Sequence, residues 1–244
     1  MAEENKYLKL ARMARADRNS EDAKKYYDMV RTEDPENVEA KFFYSFYRLM
    51  EGTKGEAYGV FIDLCNSTKS TMSLLSVSEM SDDEKKAFVK DVFENLEDAY
   101  DVTVLADRSV NSGGHYRDLG NILEQTADAI LNWLEKTYGK DDVDVIVMNY
   151  TFLKNRLTYG FDNIANAPNG YKLGDEIEEQ YSSIPEVMEI AVQCWRYGAE
   201  LERKYHVYVS DKKAAERYAE KIKKYKPDYV LPEKPVCFKS VGVH

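Results

Sequence analysis

Over most of this chain, apolar side chains recur every three to four positions, the spacing of one helical face, and strict strand-like alternation is rare. Ser81 and Glu84 form a Ser-x-x-Glu capping box ahead of Phe88, Val89, Val92, Phe93, Leu96, Tyr100 and Val104, which predicts a long helix. Asn111-Ser112-Gly113-Gly114 breaks it. A second stripe, Tyr116, Leu119, Ile122, Leu123, Ile130, Leu131, Leu134 and Tyr138, ends at Gly139, a glycine suited to a helix C-terminus. Val143, Ile146, Val147, Tyr150, Leu153 and Leu157 share a further face. Its Asp-Val-Asp-Val start is strand-like, but the continuation to Leu157 favours a helix. A polar loop is expected from Asn163 to Gly170, around Pro168, with Ile177 and Tyr181 beginning the next helix. Ser183-Ile184-Pro185-Glu186 then reads as another capping box, with proline in the first turn, where its missing N–H does no harm. Val187, Met188, Ala191, Trp195, Gly198, Leu201 and Tyr205 follow. A last basic helix is expected from about Asp211 to Tyr225, stopping at Lys226-Pro227, and Pro232-Glu233-Lys234-Pro235 reads as extended.

The first seventy or so residues carry an internal echo. Leu10 and Ala11 correspond to Tyr44 and Ser45, Ala23 to Ala57, Tyr27 to Phe61 and Val30 to Leu64, a period of 34 (61 − 27). With Tyr7, Ala14 and Pro35, this pattern resembles the tetratricopeptide (TPR) family. There, small residues let two helices of a hairpin approach and an aromatic fills the groove to the next hairpin. Lys41 stands where a bulky aromatic is usual, Val30 and Leu64 replace a small residue, and Lys69 replaces the closing proline. The resemblance implies two TPR-like hairpins over residues 4–78. Two repeats are fewer than the ~3 that usually make a stable stack, so a helical bundle over 79–226 is expected to pack on them, followed by an extended tail over 227–244. The expected fold class is all-α: TPR-like helical hairpins followed by an irregular antiparallel helical bundle.

The whole chain also resembles a bacterial family of uncharacterised TPR-like proteins, through Tyr26-Tyr27-Asp28-Met29, Glu33-Asp34-Pro35-Glu36-Asn37, the Ile184–Tyr205 segment and Tyr218-Ala219-Glu220-Lys221-Ile222-Lys223-Lys224-Tyr225. An N-terminal zinc ribbon is frequent in that family. This chain has no CxxC pair, and the resemblance implies that Cys237-Phe238 is a remnant of the apolar, cysteine-containing tail frequent in that family.

Composition agrees with helices. Of 244 residues, 12 are glycine and 6 proline, too few for a turn-rich β fold, and 32% are charged. The net charge of −10 opposes nucleic acid and anionic membrane as main partners. The charge is uneven: Asp82, Asp83, Glu84, Asp91, Glu94, Glu97, Asp98 and Asp101 fall in one helix, whereas Lys212, Lys213, Arg217, Lys221, Lys223, Lys224 and Lys226 make the last part basic. Three scattered cysteines (Cys65, Cys194, Cys237) fit a reducing cytoplasm, the start carries no apolar signal segment, and no apolar run approaches the ~20 residues of a membrane helix.

Chemistry is sparse. His115 follows a Gly-Gly pair without the lysine or serine of a phosphate loop, which reads as an inter-helix turn. His206 reads as a helix C-terminal cap, and His244 is the last residue. The paired acids Asp82-Asp83, Asp141-Asp142 and Glu178-Glu179 suit helix starts or solvated faces. No catalytic constellation, cofactor motif or metal-ligand spacing is read, so the expectation is a binding protein without enzymatic activity.

Ligand-facing positions of the TPR family fall here on Asn5, Leu8, Arg12 and Arg15, then on Glu39, Phe42, Phe46 and Leu49. The resemblance thus implies a concave groove with two arginines beside an aromatic-aliphatic floor. Such a groove suits a short protein segment or peptide carrying an acidic group and an apolar side chain. The other classes kept open are a structural, self-associating module, with the chain as a homo-oligomer, and a small-molecule-binding domain in which His115, Asp118 or Cys194 would converge.

Overall fold

The computed structural model describes residues 5–111, 114–158, 166–205 and 213–233. Among them the fold is all-α, with ten helices: α1 (Lys6–Ala16), α2 (Ser20–Glu33), α3 (Val38–Met50), α4 (Ala57–Val77), α5 (Asp82–Asn111), α6 (Tyr116–Tyr138), α7 (Val143–Arg156), α8 (Ala167–Tyr181), α9 (Pro185–Tyr205) and α10 (Ala214–Lys223). The chain forms two compact units, Met1–Gly139 and Lys140–His244. The expected boundary after residue 78 therefore moves. The apolar stripes of α5 and α6 are buried on α3 and α4, so these two helices complete the first unit. His206, Asp211, Cys237, His244 and most of the expected tail lie outside the described residues.

In the first unit each early helix starts at an asparagine. The Asn5 side chain accepts from the backbone N–H groups of Tyr7 and Leu8, Asn19 from Asp22, and Asn37 from Ala40, which satisfies donors that a helix start leaves open. Ala11, Ala23 and Ala40 are fully buried, so α1, α2 and α3 approach closely. Tyr27 leaves α2 to lie against Phe43 and Tyr47 of α3, with ring centroids 5.4 and 6.2 Å away, and donates its hydroxyl to Glu39 at 2.8 Å. Phe61 leaves α4 to meet Tyr100 of α5 at 6.2 Å. Both rings are fully buried, each between the second helix of a pair and the helix after it. The capping box opening α5 is formed: Ser81 N–H donates to Glu84 at 2.8 Å, and Glu84 N–H to the Ser81 hydroxyl at 3.3 Å.

The second unit is built around α9, on which α7, α8 and α10 all pack. The segment expected as a strand or helix at Val143 is helical, started by Asp142, which accepts from Asp144 and Val145 N–H. The loop expected to reach Gly170 ends earlier: α8 begins at Ala167 with Pro168 in its first turn, where no N–H is needed. Its glycines serve packing. A methyl group on Gly174 would overlap the Trp195 indole and stand 2.9 Å from the Ala191 carbonyl; one on Gly170 would stand 2.8 Å from the Cys194 carbonyl. Trp195 is fully buried and donates its indole N–H to Asp175 at 3.1 Å. Asp175 also accepts from the Tyr218 hydroxyl and the Lys221 ammonium, each at 2.6 Å, and Lys221 reaches Glu178 at 2.6 Å. Glu178, expected on a solvated face, thus helps fasten α10 to α8. Tyr171 stacks on Tyr218 at 3.9 Å, and Glu202 accepts from Ala215 N–H at 3.1 Å, capping α10.

Gly174→Ala should therefore reverse the usual helix preference. Alanine gains about 0.5–1 kcal/mol over glycine in an open helix site, whereas the overlap at Trp195 costs about 1–3 kcal/mol. Urea unfolding followed by tryptophan fluorescence should show Gly174→Ala destabilised and Gly59→Ala, whose added methyl meets nothing within 4 Å, stabilised. The same sign for both would contradict the close α8–α9 contact.

Candidate interaction surface

The residues expected to face a ligand separate into helix caps, ion pairs and core. Asn5 caps α1 and donates to Glu33 at 3.0 Å. Leu8 is half-buried. Arg12 is taken up by Glu39, with its Nε 2.9 Å and its Nη2 2.7 Å from Oε2. Arg15 pairs with Asp91 of α5 and lies over the Phe43 ring at 3.9 Å. Phe42, Phe46 and Leu49 are 0%, 6% and 3% exposed.

The groove is filled by the chain itself. Phe88, from the first turns of α5, meets Phe42 at 6.5 Å and Phe43 at 6.4 Å, edge to face with both. One turn later Asp91 reaches Arg15. The ligand expected from outside, an acidic group beside an apolar ring, is thus supplied from within by Phe88 and Asp91. The floor of the expected groove is core, because α5 buries its apolar stripe there.

His115, the histidine read as a turn residue, precedes α6. Its Nδ1 donates to Asp107 at 2.9 Å and its backbone N–H to the same carboxylate at 3.1 Å, while Asn111 donates at 3.1 Å. Tyr58 lies 4.4 Å from the imidazole. Burial of Asp107 raises the proton affinity of its carboxyl, but the bonds from His115 and Asn111 outweigh this and leave it below the ordinary carboxylate range. Asp107 thus holds the α5–α6 turn, a role that an acid eight residues from a histidine does not announce. Asp118 is exposed, and Cys194 is enclosed in the core of the second unit. Burial pushes the Cys194 thiol up to about 12 and that of Cys65 up to about 11, which keeps both protonated. Among the described residues no cluster of three or more His, Cys, Asp or Glu is placed to hold a metal ion, and no helix is long and apolar enough to cross a membrane.

No protein-family model, curated protein or solved structure matches the chain.

What the first unit leaves outward is the far side of α5. Glu94, Asp98, Asp101 and Leu105 follow one another at steps of four, three and four, which aligns them in one ridge, and Val102 lies beside it. Leu105 is 64% and Val102 41% exposed. Among the described residues Asp98 and Asp101 enter no hydrogen bond or ion pair, in contrast to Asp91 and Asp107 of the same helix. Partial burial and the charge of Asp98 both raise the proton affinity of Asp101.

Two outcomes follow. Phe88→Ala should lower the stability of the first unit by about 3–5 kcal/mol in urea unfolding, and Arg12→Ala by no more than about 1 kcal/mol; equal effects would contradict a filled groove. For Asp107, the folded carboxyl lies below its unfolded value near 3.9, so its contribution is full above about pH 4 and fades as pH falls through the folded value. The gap in thermal midpoint between the wild type and Asp107→Ala should be widest near neutrality and narrow on acidification. A gap that persists unchanged at low pH would contradict this.

Proposed function

We propose that the chain is an interaction scaffold: a helical module that docks a segment of another protein on the outward ridge of α5, its concave groove being closed by its own α5. The observation behind this reading is the pairing of exposed Leu105 and Val102 with Asp98 and Asp101, which find no partner among the described residues. Val102 and Leu105, three residues apart on one face, offer an apolar contact point beside these acids. Two TPR-like hairpins, α1–α2 and α3–α4, form the platform in this reading. The fully buried Tyr27 and Phe61, each pressed on the helix that follows its hairpin, support it. The buried thiols Cys65 and Cys194 suit a reducing compartment such as the cytoplasm.

A photo-cross-linking residue placed at Leu105 of the full chain, in the native cell, tests the reading. The expected result is a discrete protein adduct at position 105 and none from the same probe at exposed Ser73 on α4. No adduct at 105, or the same adducts at both positions, would overturn it.

A further inference from the structure

Resting on that reading, we infer that the segment docked on α5 is a basic amphipathic helix, with lysine or arginine side chains over Asp98 and Asp101 and an apolar side chain against Leu105 and Val102. The inference grows from how the acids of α5 divide. Asp91 is paired with Arg15, and Asp107 accepts hydrogen bonds from His115. Asp98 and Asp101, three residues apart on the outer side, face each other as like charges, an arrangement that disfavours the isolated helix. A neutral or acidic partner closing over Val102 and Leu105 would desolvate both carboxylates without compensation, which is costly. A cation set between them removes the repulsion and supplies charge-assisted bonds.

Geometry favours a helix as the occupant. The ridge from Glu94 to Leu105 spans ~16 Å, about three helical turns, and such ridges seat in the grooves of another helix. The apolar end is at Leu105 and the acidic end at Glu94, so a partner running along the ridge must place its cations and its apolar anchor in that order. Lys90 lies one turn before Glu94 on the same helix and disfavours a cation beyond that end of the stripe. This sets the register of the partner.

The test uses the full chain and two labelled helical peptides of about 20 residues, long enough to hold helix in water. One carries leucine and lysine along one face; the other is its twin with each lysine replaced by glutamate. Fluorescence anisotropy should show the lysine peptide binding, more weakly as salt rises, and the glutamate twin not binding. Asp98→Lys combined with Asp101→Lys should weaken the lysine peptide at least about tenfold. Both positions are exposed, and the circular-dichroism melt of this variant should match the wild type, which separates lost binding from lost folding. Leu105→Asp should remove binding altogether.

Equal binding of both peptides, each lost in Leu105→Asp, would overturn the basic partner while leaving α5 as a docking face. Binding of neither peptide, with the cross-link at position 105 still present, would do the same. Peptide binding indifferent to Leu105→Asp would overturn the inference and, together with absence of the cross-link, the proposed function as well. Light scattering that shows self-association of the free chain, lost in Leu105→Asp, would make a second copy the occupant and overturn the basic helix.

Discussion

The first unit depends on one contact: Phe88 set edge-on against Phe42 and Phe43, with Asp91 locked to Arg15 one turn further along. Two helical hairpins alone would leave the aromatic face of α3 in water. Phe42, Phe43 and Phe46 are too large and too close together to bury in the α3–α4 seam alone, and a third layer is required. α5 provides it. Its apolar stripe closes the face, and its acid neutralises the arginine that the same closure desolvates, so burial of carbon and pairing of charge are achieved by a single helix face. The cation lying over the Phe43 ring adds to the same contact.

Much of this was legible in the sequence, at the level of elements. The three-to-four spacing of apolar residues located the helices, because that spacing reflects burial of one face and survives without knowledge of the partner. The Ser81–Glu84 capping box marked where α5 begins. Glycine misled, since its two physical uses look alike in a sequence. Gly170 read as loop, yet it serves, with Gly174, to bring the α8 backbone against Trp195 and the Cys194 carbonyl. Nothing local distinguishes a turn glycine from one that makes room for a distant indole.

The candidate site shows the same limit. The positions expected to line a groove, among them Arg15, Phe42 and Phe46, are buried or paired, and α5 as the element that covers them was hidden. The Arg15–Asp91 pair joins residues 76 apart, and a carboxylate so far along the chain carries no local signal of its partner. Arg12 and Glu39, 27 apart, were both placed on that face, but not as partners of each other. The α5 ridge escaped notice because its acids and aliphatics look like any solvated helix face until Asp91 and Asp107 are seen to be paired and Asp98 and Asp101, among the described residues, are not. The functional reading thus turns on a division of charge that only the packed structure displays.

The claim that α5 occupies the groove is tested most directly by nuclear Overhauser contacts between phenylalanine rings in the selectively labelled full chain. The account predicts strong ring-to-ring contacts from Phe88 to both Phe42 and Phe43, with all three rings shielded from a soluble paramagnetic probe. Absence of these contacts, with Phe42 relaxed by the probe, would mean an open groove and would contradict the account.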